Sequence, residues 1–150
     1  MSIQKEINIK NRKASFEYTL LDKYIAGIQL KGTEIKSIRD GKASISEAFC
    51  FFDQSELYVK GFQVTEYTKA SDYYNHEPLR NRKLLLHKRE LKKIFNAMDD
   101  NTTIVPLQLF ITKDGWAKME IAVAKGKKLY DKRETIKKRE LQRTLGRKIK

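Results

Sequence analysis

The sequence predicts a mainly β fold of antiparallel strands with two intervening helices and a strongly basic C-terminal end. Three observations predict it. Several short segments alternate apolar and polar residues at the period of a half-buried strand. Only two stretches show helical spacing, and positive charge is crowded at one end. The 150 residues suit one domain with an appendage, long enough to bury about two thirds of the surface that the unfolded chain exposes.

The elements follow in order. Ala14, Phe16, Tyr18 and Leu20 alternate with Ser15, Glu17 and Thr19, which predicts a strand over 14–20. After a turn at Leu21-Asp22-Lys23, Tyr24, Ala26, Ile28 and Leu30 share the inward parity of a second strand. Ile25, Gly27, Gln29 and Lys31 then face outward, with Ile25 an exposed apolar residue. Thr33 is placed to cap a short helix carrying Ile35 and Ile38, which Gly41 stops. Strands near 46–52 and 56–64 flank the turn Asp53-Gln54-Ser55. If Leu84 to Leu86 is extended, Leu85 points away from its neighbours and stands beside basic residues, although base rates favour a core leucine. Leu91, Ile94, Phe95 and Met98 then form a helical stripe.

The hairpin near 103–124 has a register that parity can test. A two-residue loop at Asp114-Gly115 would set Ile111 opposite Lys118 and mix the faces. A three-residue loop, Lys113-Asp114-Gly115, pairs Ile111 with Ala117, Leu109 with Met119, Leu107 with Ile121 and Val105 with Val123, leaving one face wholly apolar. Gly115 takes the left-handed position of such loops. The outer face becomes Thr112 with Trp116, Phe110 with Lys118, and Gln108 with Glu120, so an aromatic ring and a lysine meet on the solvent side. Antiparallel strands with an interposed helix fit a compact barrel of oligonucleotide-binding type; a split sheet with helices shares the pattern.

Charge narrows the partners. The chain carries +13, of which residues 125–150 hold twelve Lys and Arg against three Asp and Glu, or +9. Clustered cations displace the counterions of a polyanion, which favours nucleic acid. A membrane would also need a continuous apolar face, and the tail offers only Leu141, Leu145 and Ile149 at one spacing, interrupted by Gly146. A solvated charged helix or an unfolded end would show the same composition. The longest apolar run, Ala48 to Phe52, is far short of the roughly 18 residues of a membrane span. Lys5 and Glu6 stand where an export signal has its apolar region, so the expected location is cytoplasmic.

Catalytic and metal chemistry find little footing. Cys50 is the only cysteine, which excludes an internal disulfide framework, and among phenylalanines it reads as a buried apolar residue. His76 and His87 lack helical metal-pair spacing and read as surface or helix-start residues. Gly27 and Gly32 have P-loop spacing, but Thr33 stands where the phosphate-binding lysine belongs. Asp99-Asp100 suits an ordinary helix exit. No enzyme, no metal and no cofactor is expected.

Three segments carry a resemblance: Gly32-Thr33-Glu34-Ile35-Lys36-Ser37-Ile38-Arg39, then 77–90 (EPLRNRKLLLHKRE), then 123–133 (VAKGKKLYDKR). In this order they resemble small protein B, the SsrA-binding (SmpB) family of bacteria, over residues from about Asn11 to the end. The resemblance implies an oligonucleotide-binding-like antiparallel β-barrel with flanking helices over 1–124. It also implies a basic tail over 125–150, disordered when free and helical on the ribosome. It further implies binding of transfer-messenger RNA (SsrA RNA) and its delivery to stalled ribosomes for trans-translation, with the tail in the empty mRNA channel and decoding centre. Implied partners are that RNA, the small-subunit rRNA of the stalled ribosome and, through the RNA complex, elongation factor Tu; no membrane is implied.

Carried over residue by residue, the family's RNA-facing surface falls on Asn11, Arg12, Lys13, Lys83, Leu85 and Lys118, continued by Lys125, Lys127 and Lys128. The decoding-centre element falls on Tyr130, Asp131, Lys132 and Arg133, where the ring could stack on a base. Ile25 departs from the pattern, since the family often has an acidic residue before the Ala-Gly pair. Apolar packing would replace its polar RNA contact.

Overall fold

A computed structural model describes residues 7–67 and 75–126. The described part opens with β1 (Asn8–Lys10), turns through α1 (Arg12–Glu17) and enters β2 (Tyr18–Ile28). Residues 14–17 are thus helical, not the strand that alternation predicts. In so short a segment both periods place Ala14 and Tyr18 on one face, and both residues pack against Val105, Leu107 and Ala124 in a small satellite cluster. The expected turn at 21–23 is instead a bulge within one eleven-residue strand: Leu20 pairs with Ala124 and Lys23 with Ala122, three steps against two. The extra residue kinks the strand without ending it. Beyond it the parity holds, with Ala26 buried and Ile25 55% exposed.

α2 (Gly32–Arg39) begins earlier than expected. Lys31, not Thr33, occupies its N-cap, because the Glu34 carboxylate reaches back to accept the Lys31 backbone N–H at 2.8 Å. Gly41, at φ +75°, closes the helix exit in the left-handed region. β3 (Ala43–Ser44) follows, then β4 (Phe49–Asp53) and β5 (Glu56–Lys60). The turn of the β4–β5 hairpin is only two residues, since Asp53 pairs with Glu56. Gln54 and Ser55 both take positive φ, 49° and 67°, as a tight hairpin twisted with its strands requires. β6 (Gln63–Val64) pairs back on β3.

β7 (Arg82–Leu85) leads into α3 (Lys88–Ala97), whose N-cap is the exposed His87. The strand is extended, so the condition for an outward Leu85 is met and the favoured core placement is not: Leu84 is buried and Leu85 is 50% exposed. The chain ends its described part with β8 (Thr102–Ile111) and β9 (Ala117–Gly126). Their hairpin has the predicted register from the loop inward, Ile111 with Ala117 and Leu109 with Met119, with Gly115 at φ +87°. It then slips by one at Pro106/Gln108, so that Ile121 faces Pro106 and Val105 faces Ala122. Proline has no N–H to donate to the ladder, and the bulge accommodates it.

Strand pairing runs β1-β8-β4-β5-β7-β2-β9, and β9 pairs with β8 to close a ring. All the pairings are antiparallel. The barrel interior holds Ala26, Leu57, Val59, Leu84, Met119 and Ile121; Ile38 of α2 and Ile94 of α3 join the same core. Cys50 is buried there as well, and burial pushes its thiol well above the usual range, as an inert core cysteine requires. No helix among the described residues is long and apolar enough to cross a membrane.

Candidate nucleic-acid interface

Register builds rows of side chains across the outer barrel wall. Gly27 on β2 is flanked by Leu85 on β7 and Lys118 on β9; Lys118 faces Phe110 on β8, which faces Asn8 on β1. Gly27 has no side chain to separate its neighbours. A Cβ there would stand 3.3 Å from the Leu85 Cβ and 3.6 Å from the Lys118 ammonium, so the glycine lets a lysine and a leucine close over one strand. The next row is Ile25, Glu120, Gln108 and Lys10. A Gln108 amide N–H donates to Glu120 at 3.2 Å. On the other side Lys83 faces Tyr58, whose ring stacks on Phe51 with centroids 5.8 Å apart.

Ile25, Leu85 and Lys118 are therefore neighbours on one outward surface, with Lys83 two residues before Leu85 on β7. Lys83 is half-buried, its ammonium 3.6 Å from Glu56. Among the described residues no carboxylate forms an ion pair with Lys118. The surface combines an unpaired cation, exposed apolar side chains and aromatic rings.

Asn11, Arg12 and Lys13 lie elsewhere, beyond the opposite end of β2. From Tyr18 to Gly27 the strand runs roughly 30 Å at its ordinary rise. Lys125 shares that end, paired with Thr19 and Thr102 within β9. Asn11 helps to hold the fold, since its amide N–H donates to the Pro106 carbonyl at 2.9 Å and its backbone N–H to the Leu107 carbonyl at 2.8 Å. Arg12 is exposed, and Lys13 bridges to Glu47 at 3.0 Å. That hydrogen bond and the nearby charge raise the Lys13 ammonium above its usual value. Lys127, Lys128, Tyr130, Asp131, Lys132 and Arg133 lie outside the described residues.

Not anticipated from the sequence is a buried charge cluster that joins α2 to β7. Glu34 and Arg82 have no exposed surface and form a direct ion pair; Arg80 donates to the other Glu34 oxygen at 2.6 Å. Arg82 also donates to the Phe62 carbonyl at 2.6 Å and the Arg80 carbonyl at 3.0 Å, its guanidinium 4.9 Å from the Phe62 ring centroid. Burial would raise the Glu34 carboxyl, but hydrogen bonds from Arg80, the Lys31 N–H and Arg82 outweigh it and hold it below the usual range. Burial likewise lowers Arg82, against the pull of Glu34.

His76, expected at the surface, is buried. Its Nε2 lies 2.9 Å from the Val64 carbonyl, which can only accept, so Nε2 carries a proton; Nδ1 meets the Thr33 hydroxyl at 2.9 Å. The pair ties β6 to α2. Among the described residues no group of three or more His, Cys, Asp or Glu side chains is placed to hold a metal ion.

Fold and surface define a small closed β-barrel whose outer wall carries, among apolar and aromatic side chains, a lysine with no carboxylate ion-pair partner among the described residues. The family model described as SmpB protein matches residues 8–150. An SsrA-binding protein of Cytophaga hutchinsonii is 58% identical over 146 residues, covering 97% of this chain and 95% of the relative. One of Bacteroides thetaiotaomicron is 53% identical, covering 98% of each. A chain solved under the description "tmRNA-SmpB: a journey to the center of the bacterial ribosome" superposes with a TM-score of 0.69 at 41% identity, covering 82% of this chain and 86% of that one. The chain belongs to the SmpB family.

Proposed function

We propose that this protein binds transfer-messenger RNA and delivers it to stalled ribosomes for trans-translation, acting by binding rather than by catalysis. The observation that carries the reading is family membership over nearly the whole chain, joined to an outer wall of the right chemistry. A lysine free of carboxylate partners meets phosphate, and exposed Leu85 and Ile25 pack on riboses or bases. Asn11, Arg12, Lys13, Lys83 and Lys125 extend the contact surface, and Lys127 and Lys128 lead into the tail.

On a ribosome without a codon, substitute contacts must replace codon–anticodon pairing. Tyr130, Asp131, Lys132 and Arg133 would make them in the decoding centre, with the rest of the basic tail neutralising rRNA phosphates along the vacant channel. Elongation factor Tu joins through the RNA.

Pull-down from cells followed by RNA sequencing tests the proposal. One dominant transfer-messenger RNA is the expected result, and a broad RNA population would defeat it. With roughly five to eight phosphate contacts, log K against log salt should slope by about −4 to −7. An affinity indifferent to salt would remove the phosphate contacts from the account.

A further inference from the structure

A cleft of about 810 Å³ opens where β1, the end of α2 and the β8–β9 loop meet, within the size range of small-ligand sites. Asn8, Gln108 and Phe110 line it from the barrel, Arg39 from α2, and Lys113 and Asp114 from the loop. Arg39 stands at the last position of α2, its guanidinium 3.3 Å from where a Cβ on Gly115 would be. Among the described residues it has no carboxylate ion-pair partner. Phe110 and Asn8 belong to the cross-strand row that begins at Leu85 and Lys118, so the cleft continues the outer wall.

These are the components that hold an unstacked nucleotide. An aromatic face stacks a base, a guanidinium pairs with phosphate oxygens, and amide and carboxylate groups read a base edge. The charges of Arg39 and Lys113 exceed that of Asp114 by one, which suits a phosphate. Asp114 remains to accept from a base amino group. We propose that this cleft receives one unstacked nucleotide of the RNA carried on the barrel wall, its base against Phe110 and its phosphate on Arg39. This inference rests on the RNA-binding reading above.

Trp116, the chain's only tryptophan, is 69% exposed and follows Gly115, which lines the cleft, so its fluorescence serves as a probe beside the cleft. The full-length chain is titrated with transfer-messenger RNA. Arg39→Gln should weaken binding about tenfold and take about 0.7–0.9 off the salt slope, the signature of one lost phosphate contact. Phe110→Leu should weaken it about five- to a hundredfold and leave the slope unchanged. Because Phe110 is half-buried, Phe110→Tyr serves as a second variant that keeps the ring and should bind like the parent. Trp116 emission should change on binding in the parent and far less in Arg39→Gln. If Lys118→Ala weakens binding while Arg39→Gln and Phe110→Leu bind like the parent, the cleft holds no nucleotide and the inference falls, with the barrel-wall reading intact. If the parent itself fails to bind the RNA, the underlying reading falls first.

Discussion

A carboxylate with no exposed surface persists in this core because two guanidinium groups and a helix-start N–H hold it. Glu34→Ala leaves Arg82 buried without its counter-charge, and the expected loss is about 3–5 kcal/mol in urea unfolding at neutral pH. The pH dependence has a definite sign. Glu34 is held below its ordinary value of 4.5, so its contribution is fully present above that value and is lost as pH falls through the folded-state value. The gap between parent and variant should therefore be widest at neutral pH and shrink in acid; a constant gap would mean the carboxylate is not what Arg82 needs. Ile25→Asp is the opposite kind of change. Ile25 faces solvent opposite Glu120, so the new charge should cost within about 1 kcal/mol. It restores the acidic residue that the family resemblance leads one to expect there. Affinity for transfer-messenger RNA in filter binding should change while the unfolding midpoint does not, since the apolar contact is exchanged for a charge, and loss of cooperative unfolding would show that Ile25 belongs to the core. The signal that would have found Arg82 is parity, since a strand that turns Leu84 inward also turns Arg82 inward. His76 carried no such signal, because its burial depends on Val64 and Thr33, partners 12 and 43 residues away.

Among the elements, corners decide more than strands do. Gly61 sits at φ +76°, and a Cβ there would stand 2.7 Å from the Glu47 carbonyl oxygen. Gly61→Ala thus meets both left-handed strain and a backbone clash, and should cost at least about 2 kcal/mol by thermal or urea unfolding. A loss of only a few tenths would mean that the β5–β6 corner yields freely. Strand parity was readable where one face is apolar: 24–30 and the loop-proximal half of the β8–β9 hairpin came directly from the sequence, whereas 84–86 followed only on the condition that the segment is extended. Bulges were not readable. At Leu21-Asp22 and at Pro106 one extra residue shifts the register without changing the composition that marks a strand, so the first looked like a turn and the second was invisible. At Arg12–Glu17 six residues are too few for a helical stripe to show, and Ala14 and Tyr18, four apart, share a face in either period.

At the scale of the whole molecule the charge is uneven: residues 125–150 hold +9 of the chain's +13, while the described barrel runs to Gly126. The barrel wall offers Lys83, Leu85 and Lys118 from interior strands of a closed ring, positions fixed by the same pairings that hold the core. Residues after Lys128 add many cations and the Tyr130–Arg133 element, and on the proposed division of the chain into a barrel and a basic tail the core of the described residues does not need them. Ending the chain at Lys128 should therefore leave the unfolding midpoint nearly unchanged and preserve most specific RNA affinity. Rescue of stalled ribosomes should be lost. The comparison belongs near physiological salt, where attraction between exposed charges is screened beyond about 8 Å and the lost charge weakens binding least. Alanine at Asp131, Lys132 and Arg133 together changes net charge by only one and should give the same rescue defect, which separates decoding-centre contacts from bulk charge. Tagging of nascent chains on ribosomes stalled at the end of a message is the measurement. Normal tagging by the shortened chain would reduce the tail to a solvated basic end and leave the barrel alone to position the RNA.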